Sequence, residues 1–133
     1  MDNIINTFIV ASIVLKKENK YLLVQEKQPA AYKLWNFPGG KVEKGYTIEQ
    51  TAIKEAKEES GYDVELIRKI GIFQATTEEP VKHAFFAKII GGELNIPEEE
   101  ILDAKWFSFE EIKNMKNKLR SPFIIEGLEL LEK

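Results

Sequence analysis

The chain has 133 residues, a length that suits one domain with a real core, and we predict a single domain over residues 1–133. Its formal net charge is −3 and it has no basic block, which argues against binding to a nucleic-acid polymer. It contains no cysteine, which excludes disulfides, thiolate zinc sites and thiol nucleophiles.

The N-terminal segment predicts a protein without a secretion signal or a membrane span. Residues 1–8 lack the basic stretch that opens a signal peptide, and the longest apolar run, residues 8–15, is too short to cross a bilayer. The absence of disulfides is compatible with the cytoplasm. We therefore expect a cytoplasmic location and no membrane partner.

The first third of the chain predicts a hairpin followed by a loop. Residues 7–15 are β-branched and almost continuously apolar, as in a buried strand. Residues 21–25 form the second strand of the hairpin, whose polar turn spans residues 16–20. A loop over residues 26–33 leads to a short extended piece over residues 34–37.

The clearest local prediction is a helix over residues 48–60. Thr47 before it is a favourable N-cap residue, and Gly61 suits the position after its C-terminus. At about 100° per residue, one face carries three glutamates beside apolar contacts. That face comprises Glu55, Glu58 and Glu59 with Ile48, Thr51 and Ala52, while Gln50, Lys54 and Lys57 are expected to point to water.

Two interpretations of this acidic face are open. Glu55 and Glu59 are like charges one turn apart, which is unfavourable on an exposed helix and more so when buried. A divalent cation would remove the repulsion, because Mg²⁺ and Mn²⁺ prefer carboxylate oxygens and keep waters that substrate phosphates replace. The alternative is a solvated helix stabilised by a Lys54–Glu58 ion pair. The glycine-rich segment upstream favours the metal-binding interpretation.

The second half predicts three further strands, over residues 64–73, 81–90 and 101–107. Gly91 and Gly92 are expected to form the turn after the middle strand, and residues 93–96 to extend its hairpin.

Two helices follow these strands. Ser108 begins a short helix through a capping box with Glu111, and residues 123–131 form a C-terminal helix that starts at Ser121 and Pro122. The order of elements predicts a central mixed sheet covered by helices, an α/β (α+β) sandwich.

Residues 40–62 resemble the Nudix box, in which a glycine is followed at fixed distances by glutamates and a second glycine. The matching positions are Gly40, Glu55, Ala56, Glu58, Glu59, Gly61 and Tyr62. The resemblance to the Nudix hydrolase family implies an α/β/α sandwich with a central mixed sheet. It covers most of the chain, because the PGG segment, the box and a later WF-S-x-E-E segment occur in the expected order.

The resemblance also implies an activity, that of a Nudix-type pyrophosphohydrolase. Divalent metals, here Mg²⁺ or Mn²⁺, neutralise the phosphate oxygens that repel a nucleophile, and they activate water. By resemblance, Glu55, Glu58 and Glu59 hold the metal together with the Gly40 carbonyl, and one glutamate helps to deprotonate the water. The expected substrate is a nucleoside di- or triphosphate or a similar diphosphate-linked small molecule, and the chain is expected to be a monomer or homodimer.

Two positions depart from the box. Tyr46 stands where the family has its first glutamate, and Lys54 where it has arginine. The Tyr46 hydroxyl cannot supply negative charge at neutral pH, and Lys54 lacks the planar fork of arginine. We expect metal affinity to be retained but altered. The alternatives are an ADP-ribose or sugar-nucleotide pyrophosphatase and a non-catalytic Nudix-like module that binds a nucleotide.

Residues outside the helix are further candidates for the site. The family often places another glutamate in a loop such as residues 98–100, and we select Glu100 as a catalytic residue, with an exposed acidic loop as the alternative. Lys27 and Lys33 lie in a loop that the family places near the substrate, although both could be ordinary solvated lysines. The candidate substrate-binding residues are Gly39, Gly40, Lys41, Lys33 and Arg120.

The single histidine, His83, is expected on a sheet face with Phe85 and Ala87, because a lone histidine cannot form the usual metal or triad cluster. Aromatic side chains could stack on a base, but most are expected in the core. They are Tyr32, Trp35, Phe37 and Phe73.

Two short stretches resemble one branch of the family more closely. Residues 119–122 (LRSP), followed by an apolar helix with Glu126, and the pair Trp35-Asn36 are similar to bacterial phosphatases of nucleoside tri- and diphosphates and thiamine-type pyrophosphates. In this segment Arg120 could contact a substrate phosphate or cap a helix end.

Overall fold

A mixed sheet forms the centre of the computed structural model, which describes residues 3–133; the first two residues of the N-terminal segment lie outside it. Seven strands occur within the described residues. They are β1 (Ile9–Lys17), β2 (Lys20–Glu26), β3 (Trp35–Asn36), β4 (Gly39–Lys41), β5 (Tyr62–Phe73), β6 (Val81–Gly92) and β7 (Ile101–Ser108).

In the part of the chain that the structure describes, three α-helices cover this sheet: α1 (Ile48–Ser60), α2 (Phe109–Lys113) and α3 (Phe123–Leu131). Short 3-10 turns occur at Pro29–Ala31 and Lys116–Lys118. Within residues 3–133, none of the helices combines the length and the apolar character that a membrane crossing requires.

The strand β1 lies near the middle of the sheet, as its apolar sequence predicts. The order is β3-β2-β1-β6-β5, with β4 also paired to β1 and β7 to β2. Strands β1 and β6 are parallel and the other pairs are antiparallel. The β1–β2 hairpin turns at Glu18 and Asn19, whose φ values of 50° and 64° are those a tight hairpin turn requires.

The two faces of the sheet bury separate cores. On one face α1 packs Ala52 and Ala56 onto a cluster that contains Ile13 and Phe85. On the other face α2 and α3 pack Ile112, Ile124 and Leu128 onto Val14, Leu23 and Phe73. The molecule is therefore an α/β/α sandwich, which confirms the predicted fold class.

Both ends of α1 are fixed by local hydrogen bonds, and its bounds are those predicted. The Thr47 side chain accepts from the Gln50 N–H, and the Gln50 side chain accepts from the Thr47 N–H. Gly61 takes the left-handed φ of 85° and donates to the Lys57 carbonyl. A side chain at Gly61 would also overlap the Glu93 carbonyl, so only glycine fits there.

The region after β6 differs from the prediction. Gly91 and Gly92 do not form a turn but continue β6, where they pair with Asp63 and Tyr62 at the start of β5. Residues 93–96 add no strand. Instead, the Asn95 N–H donates to the Ser60 carbonyl at 2.8 Å, which satisfies an end carbonyl of α1. The strand β4 was not predicted, because its sequence, GGK, has no strand propensity.

Candidate active site

A cavity of about 630 Å³ opens where α1, β4 and the ends of several strands meet. Its lining combines acidic and basic side chains with two glycines and two phenylalanines. The charged members are Glu26, Glu43, Glu55, Glu59, Glu100, Lys41, Lys82 and Arg120, and the others include Phe8, Phe37, Gly39 and Gly40.

Gly40 allows the Glu55 carboxylate to lie directly against the backbone. The pairing of β4 with β1 sets Gly40 opposite Ala11, and a Cβ on Gly40 would overlap the Glu55 carboxyl group. A Cβ on Gly39 would lie 2.5 Å from the Ala11 carbonyl oxygen. The double glycine is therefore required by close packing on both sides, against the sheet at Gly39 and against α1 at Gly40.

Glu59 is the most perturbed acid in the cavity. Its carboxylate accepts a hydrogen bond from the Gly39 N–H at 3.1 Å. Burial raises the pKa of Glu59 to about 8, helped by the negative charges of Glu55, Glu26 and Glu100 and opposed by the Gly39 hydrogen bond. At neutral pH this group therefore retains a proton unless a cation compensates its charge.

The pKa of Glu55 is also raised. Burial, followed by the nearby negative charge of Glu58, raises its pKa, and the positive charge of Lys54 opposes the rise. Glu55 and Glu59 thus lie in one cavity as acids that are both costly to ionise.

Glu58 is a neighbour of Glu55 but does not line the cavity. Its side chain is 52% exposed and forms an ion pair with Lys54, whose Nζ lies 3.1 Å from Oε1. It borders a neighbouring open groove with Lys57 and Glu93 rather than the cavity itself. The structure thus brings Glu55 and Glu59 to the cavity but leaves Glu58 at its outer edge.

Lys54 does not point to water, which corrects the prediction. Its Nζ lies 3.6 Å from Glu55 and 3.9 Å from Glu43, in addition to its pair with Glu58. It also lies 5.6 Å from the centre of the Tyr46 ring. Residues four positions apart lie on the same side of a helix. Glu58 therefore attracts the Lys54 side chain toward the acidic face of α1. The Lys54–Glu58 pair of the alternative interpretation is therefore present.

Sequence reasoning missed Glu26 and Lys82, which both line the cavity. The Glu26 Oε1 accepts from the Gln28 amide at 3.0 Å, and Oε2 lies 3.2 Å from the Arg120 Nε. Because the angles at that contact are unfavourable, Oε2 has no hydrogen-bond partner among residues 3–133, although it is buried. A carboxylate directly after the buried strand YLLVQ was the available signal.

The other predicted residues divide between the cavity and its surroundings. Glu100 and Lys41 line the cavity, and the Lys41 Nζ lies 4.5 Å from the centre of the Phe8 ring. Lys33 lies outside it with its Nζ 5.7 Å from the Tyr32 ring centre. Lys27 also lies outside it and donates to the Glu98 carbonyl at 2.9 Å.

The histidine and most of the aromatic candidates are buried, as predicted. His83 is 9% exposed and its Nδ1 lies 3.0 Å from the Lys69 Nζ; burial and then the Lys69 charge lower its pKa. Trp35, Phe37 and Phe73 belong to the core, while Tyr32 is exposed.

The acidic residues of the cavity offer oxygen donors of the kind that a hard divalent cation prefers, but only a partial set of ligands. Among residues 3–133, no three acidic, histidine or cysteine side chains are gathered closely enough to hold a metal on their own. The donors are nevertheless carboxylates, two of them costly to ionise, and the buried Glu26 Oε2 lacks a hydrogen bond. Mg²⁺ suits such a partial set, because it usually keeps waters and completes its coordination with phosphates.

Comparison with known proteins identifies the family. The model of the NUDIX domain matches residues 6–126, and the chain belongs to this family. The solved structure of a NUDIX hydrolase from Nitrosomonas europaea has the same fold, with a TM-score of 0.83 and 24% identity, and the match covers 96% of this chain and 89% of that chain.

Two curated relatives are more similar in sequence. A protein of Bacillus subtilis (strain 168) with the provisional name 8-oxo-dGTP diphosphatase is 38% identical over 96 residues, which are 72% of this chain and 62% of that protein. The ADP-ribose pyrophosphatase of Methanocaldococcus jannaschii is 31% identical over 106 residues, 77% of this chain and 60% of that protein. The chain therefore spans about three fifths of the length of these relatives.

Proposed function

We propose that this chain is a hydrolase that cleaves a phosphoanhydride bond of a nucleoside di- or triphosphate, or of a similar diphosphate-linked compound, with Mg²⁺ or Mn²⁺ as cofactor. The observation that carries the proposal is one cavity in which the partly buried Glu55 and Glu59 lie against the Gly39-Gly40 backbone while Arg120 lines the same space. Acidic groups suit the cation, and the arginine suits a phosphate.

Each residue has a role in this proposal. Glu55 and Glu59 hold the cation with the Gly40 carbonyl, and Glu58 joins them if its pair with Lys54 opens. A bound divalent cation would neutralise phosphate charge and lower the pKa of a water molecule. The Gly39 N–H orients the Glu59 carboxylate in the cavity, so we assign proton acceptance to Glu59 when a cation keeps it ionised. Glu100 acts on the same water or on the cation.

The relatives support a nucleotide substrate. One is named for 8-oxo-dGTP and the other for ADP-ribose, so both names describe compounds that contain a phosphoanhydride bond. Phe8 and Phe37 line the cavity and offer apolar surface to a base. An ADP-ribose or sugar-nucleotide pyrophosphatase is therefore the second candidate within the same reaction class.

A non-catalytic nucleotide-binding module is the candidate from a different class. It is favoured by the contacts of Lys54 with Glu58 and Glu55, which place a positive charge where a cation would bind, and by the absence of a carboxylate at Tyr46. Such a module would be stabilised by nucleotides without turning them over.

A phosphate-release screen separates these candidates. The panel comprises nucleoside triphosphates, nucleoside diphosphates, dinucleotides, ADP-ribose and thiamine pyrophosphate, each with Mg²⁺ and with chelator. We expect release of phosphate or pyrophosphate, or of monophosphate products, only with metal. Thermal stabilisation by the same compounds without any turnover would instead support the binding module.

The glutamates are tested in the same assay. Glu59→Gln should abolish release while the protein still folds, and Glu58→Gln should reduce it less, because Glu58 lies at the outer edge of the cavity. Full activity in both variants would refute the assignment of the metal to this helix.

A further inference from the structure

Lys82 is a cavity cation that lacks a counter-ion. It lies on β6 opposite Val10 of β1 and lines the cavity beside Arg120 and Glu26. Its side chain is partly buried, with Nζ 5.6 Å from the centre of the Phe123 ring. No carboxylate within residues 3–133 forms an ion pair with it. A partly buried ammonium group without such a partner is costly.

Arg120 adds a second positive charge at the same place. Its backbone N–H donates to the Trp35 carbonyl at 2.8 Å, which fixes this segment against β3. Burial and then the charge of Arg120 lower the pKa of Lys82, and Glu26 and Glu79 offset this only in part. Arg120 is paired with Glu26, whose Oε2 lies 3.2 Å from its Nε, so Lys82 and this pair together carry one net positive charge. An anion beside Lys82 and Arg120 would compensate that charge.

The cavity contains a group of acidic side chains and a pair of basic side chains. Glu59 is influenced by Glu55, Glu26 and Glu100, whereas Lys82 is influenced by Arg120, Glu26 and Glu79. Glu26 belongs to both sets and pairs with Arg120, so the acidic group (the acidic end) adjoins Lys82 and Arg120 (the basic end). A ligand that fills the cavity would contact both ends.

We propose that Lys82 and Arg120 form an anion subsite that binds a third phosphate, beyond the two phosphates on either side of the cleaved bond. This rests on the proposed function, which places those two phosphates at the acidic end. The preferred substrate class is then nucleoside triphosphates. ADP-ribose has only two phosphates and uncharged sugars beyond them, and it leaves the basic end without a partner.

The kinetic test compares two substrates and two matched variants. Lys88 lies on the same strand as Lys82, is exposed and borders a different groove, so Lys88→Met is the control for Lys82→Met. With Mg²⁺, Lys82→Met should raise KM for dGTP about tenfold, the usual effect of losing one charge-assisted hydrogen bond, with little change in kcat. KM for ADP-ribose should not change, and Lys82→Arg should recover part of the loss for dGTP.

Equal effects of Lys82→Met on both substrates, or no effect on either, would overturn the subsite. Lys82→Met is expected to fold, because it removes a repelled charge and keeps an apolar stem against Phe123. Circular dichroism checks this.

A binding measurement separates failure of the subsite from failure of the proposed function. Calorimetric titrations use inorganic tripolyphosphate and pyrophosphate with Ca²⁺, which shares the preference for oxygen ligands. The unmodified protein should bind tripolyphosphate more tightly, and Lys82→Met should lose that preference while Lys88→Met keeps it. This result without hydrolysis of any compound of the phosphate-release screen would leave the subsite standing and the proposed activity refuted. Normal hydrolysis with an unchanged preference in Lys82→Met would refute the subsite alone.

Discussion

At the scale of single residues, Gly40 shapes the cavity because it has no side chain. The Glu55 carboxylate occupies the space that a Cβ would fill, so this glycine sets the position of an acid 15 positions further on. The sequence predicted that the two residues belong to one motif, but not the direct contact that couples them. Glu26 shows the limit of such reasoning, because its partner Arg120 lies far along the chain and no local pattern joins the two residues.

Gly40→Ala should therefore displace Glu55 and reduce the rate of hydrolysis about 100-fold, the loss that a misplacement of about 1 Å produces in an active site. Steady-state kinetics with Mg²⁺ measures it. Gly91→Ala is the control, since a Cβ there would make only ordinary contacts with Asp63. Wild-type rates in Gly40→Ala would mean that the position of Glu55 does not matter for the reaction.

The raised pKa of Glu59 predicts how the stability of the metal-free protein depends on pH. Its pKa rises from 4.5 to about 8 on folding, so the folded state holds the proton more tightly. Tighter proton binding by Glu59 in the folded state stabilises the fold. This stabilisation is fully present below pH 4.5, decreases as pH rises to about 8, and is lost above that pH. With chelator, the Tm of the unmodified protein should fall between pH 5 and pH 8.5.

Glu59→Gln should make that fall smaller by about 4 °C or more, the change that roughly 1 kcal/mol makes in a domain of this size. Differential scanning calorimetry measures it, with the exposed Glu99→Gln as control. If the Tm of Glu59→Gln and that of the unmodified protein fall equally with pH, the pKa of Glu59 is not raised by folding.

At the scale of elements, the cavity depends on the exact placement of α1. Thr47 and Gly61 marked both ends in the sequence, because capping residues act through local hydrogen bonds that a sequence displays directly. The contacts of Lys54 were predictable only in part. The helix spacing indicated its ion pair with Glu58, but not its contact with Glu43, which lies outside the helix.

Thr47→Ala should remove the capping box of α1 and lower the free energy of unfolding by about 1 kcal/mol, or the Tm by about 4 °C. Thr77→Ala, in the exposed loop between β5 and β6, is the control. Chemical denaturation with both variants measures the difference. Equal stabilities would indicate that the N-terminus of α1 is held by packing rather than by its cap.

At the scale of the whole molecule, the order of strands and helices predicted the mixed sheet and its two helical layers. The pairing of β1 with β6 joins segments about 70 positions apart, and no local sequence pattern predicts such a contact. The cavity has the same origin, since Glu26, Glu59, Lys82, Glu100 and Arg120 come from separate parts of the chain. The single-domain organisation, the cytoplasmic location and the choice between monomer and homodimer stay predictions.

The central claim is that the acidic residues of this cavity bind a divalent cation. Its most direct test is a titration with Mn²⁺, followed by electron paramagnetic resonance, of the unmodified protein, Glu59→Gln and the control Glu99→Gln. We predict saturable binding that Glu59→Gln weakens at least about tenfold and Glu99→Gln leaves unchanged. Equal Mn²⁺ affinity in all three proteins, or no binding to any of them, would contradict the account.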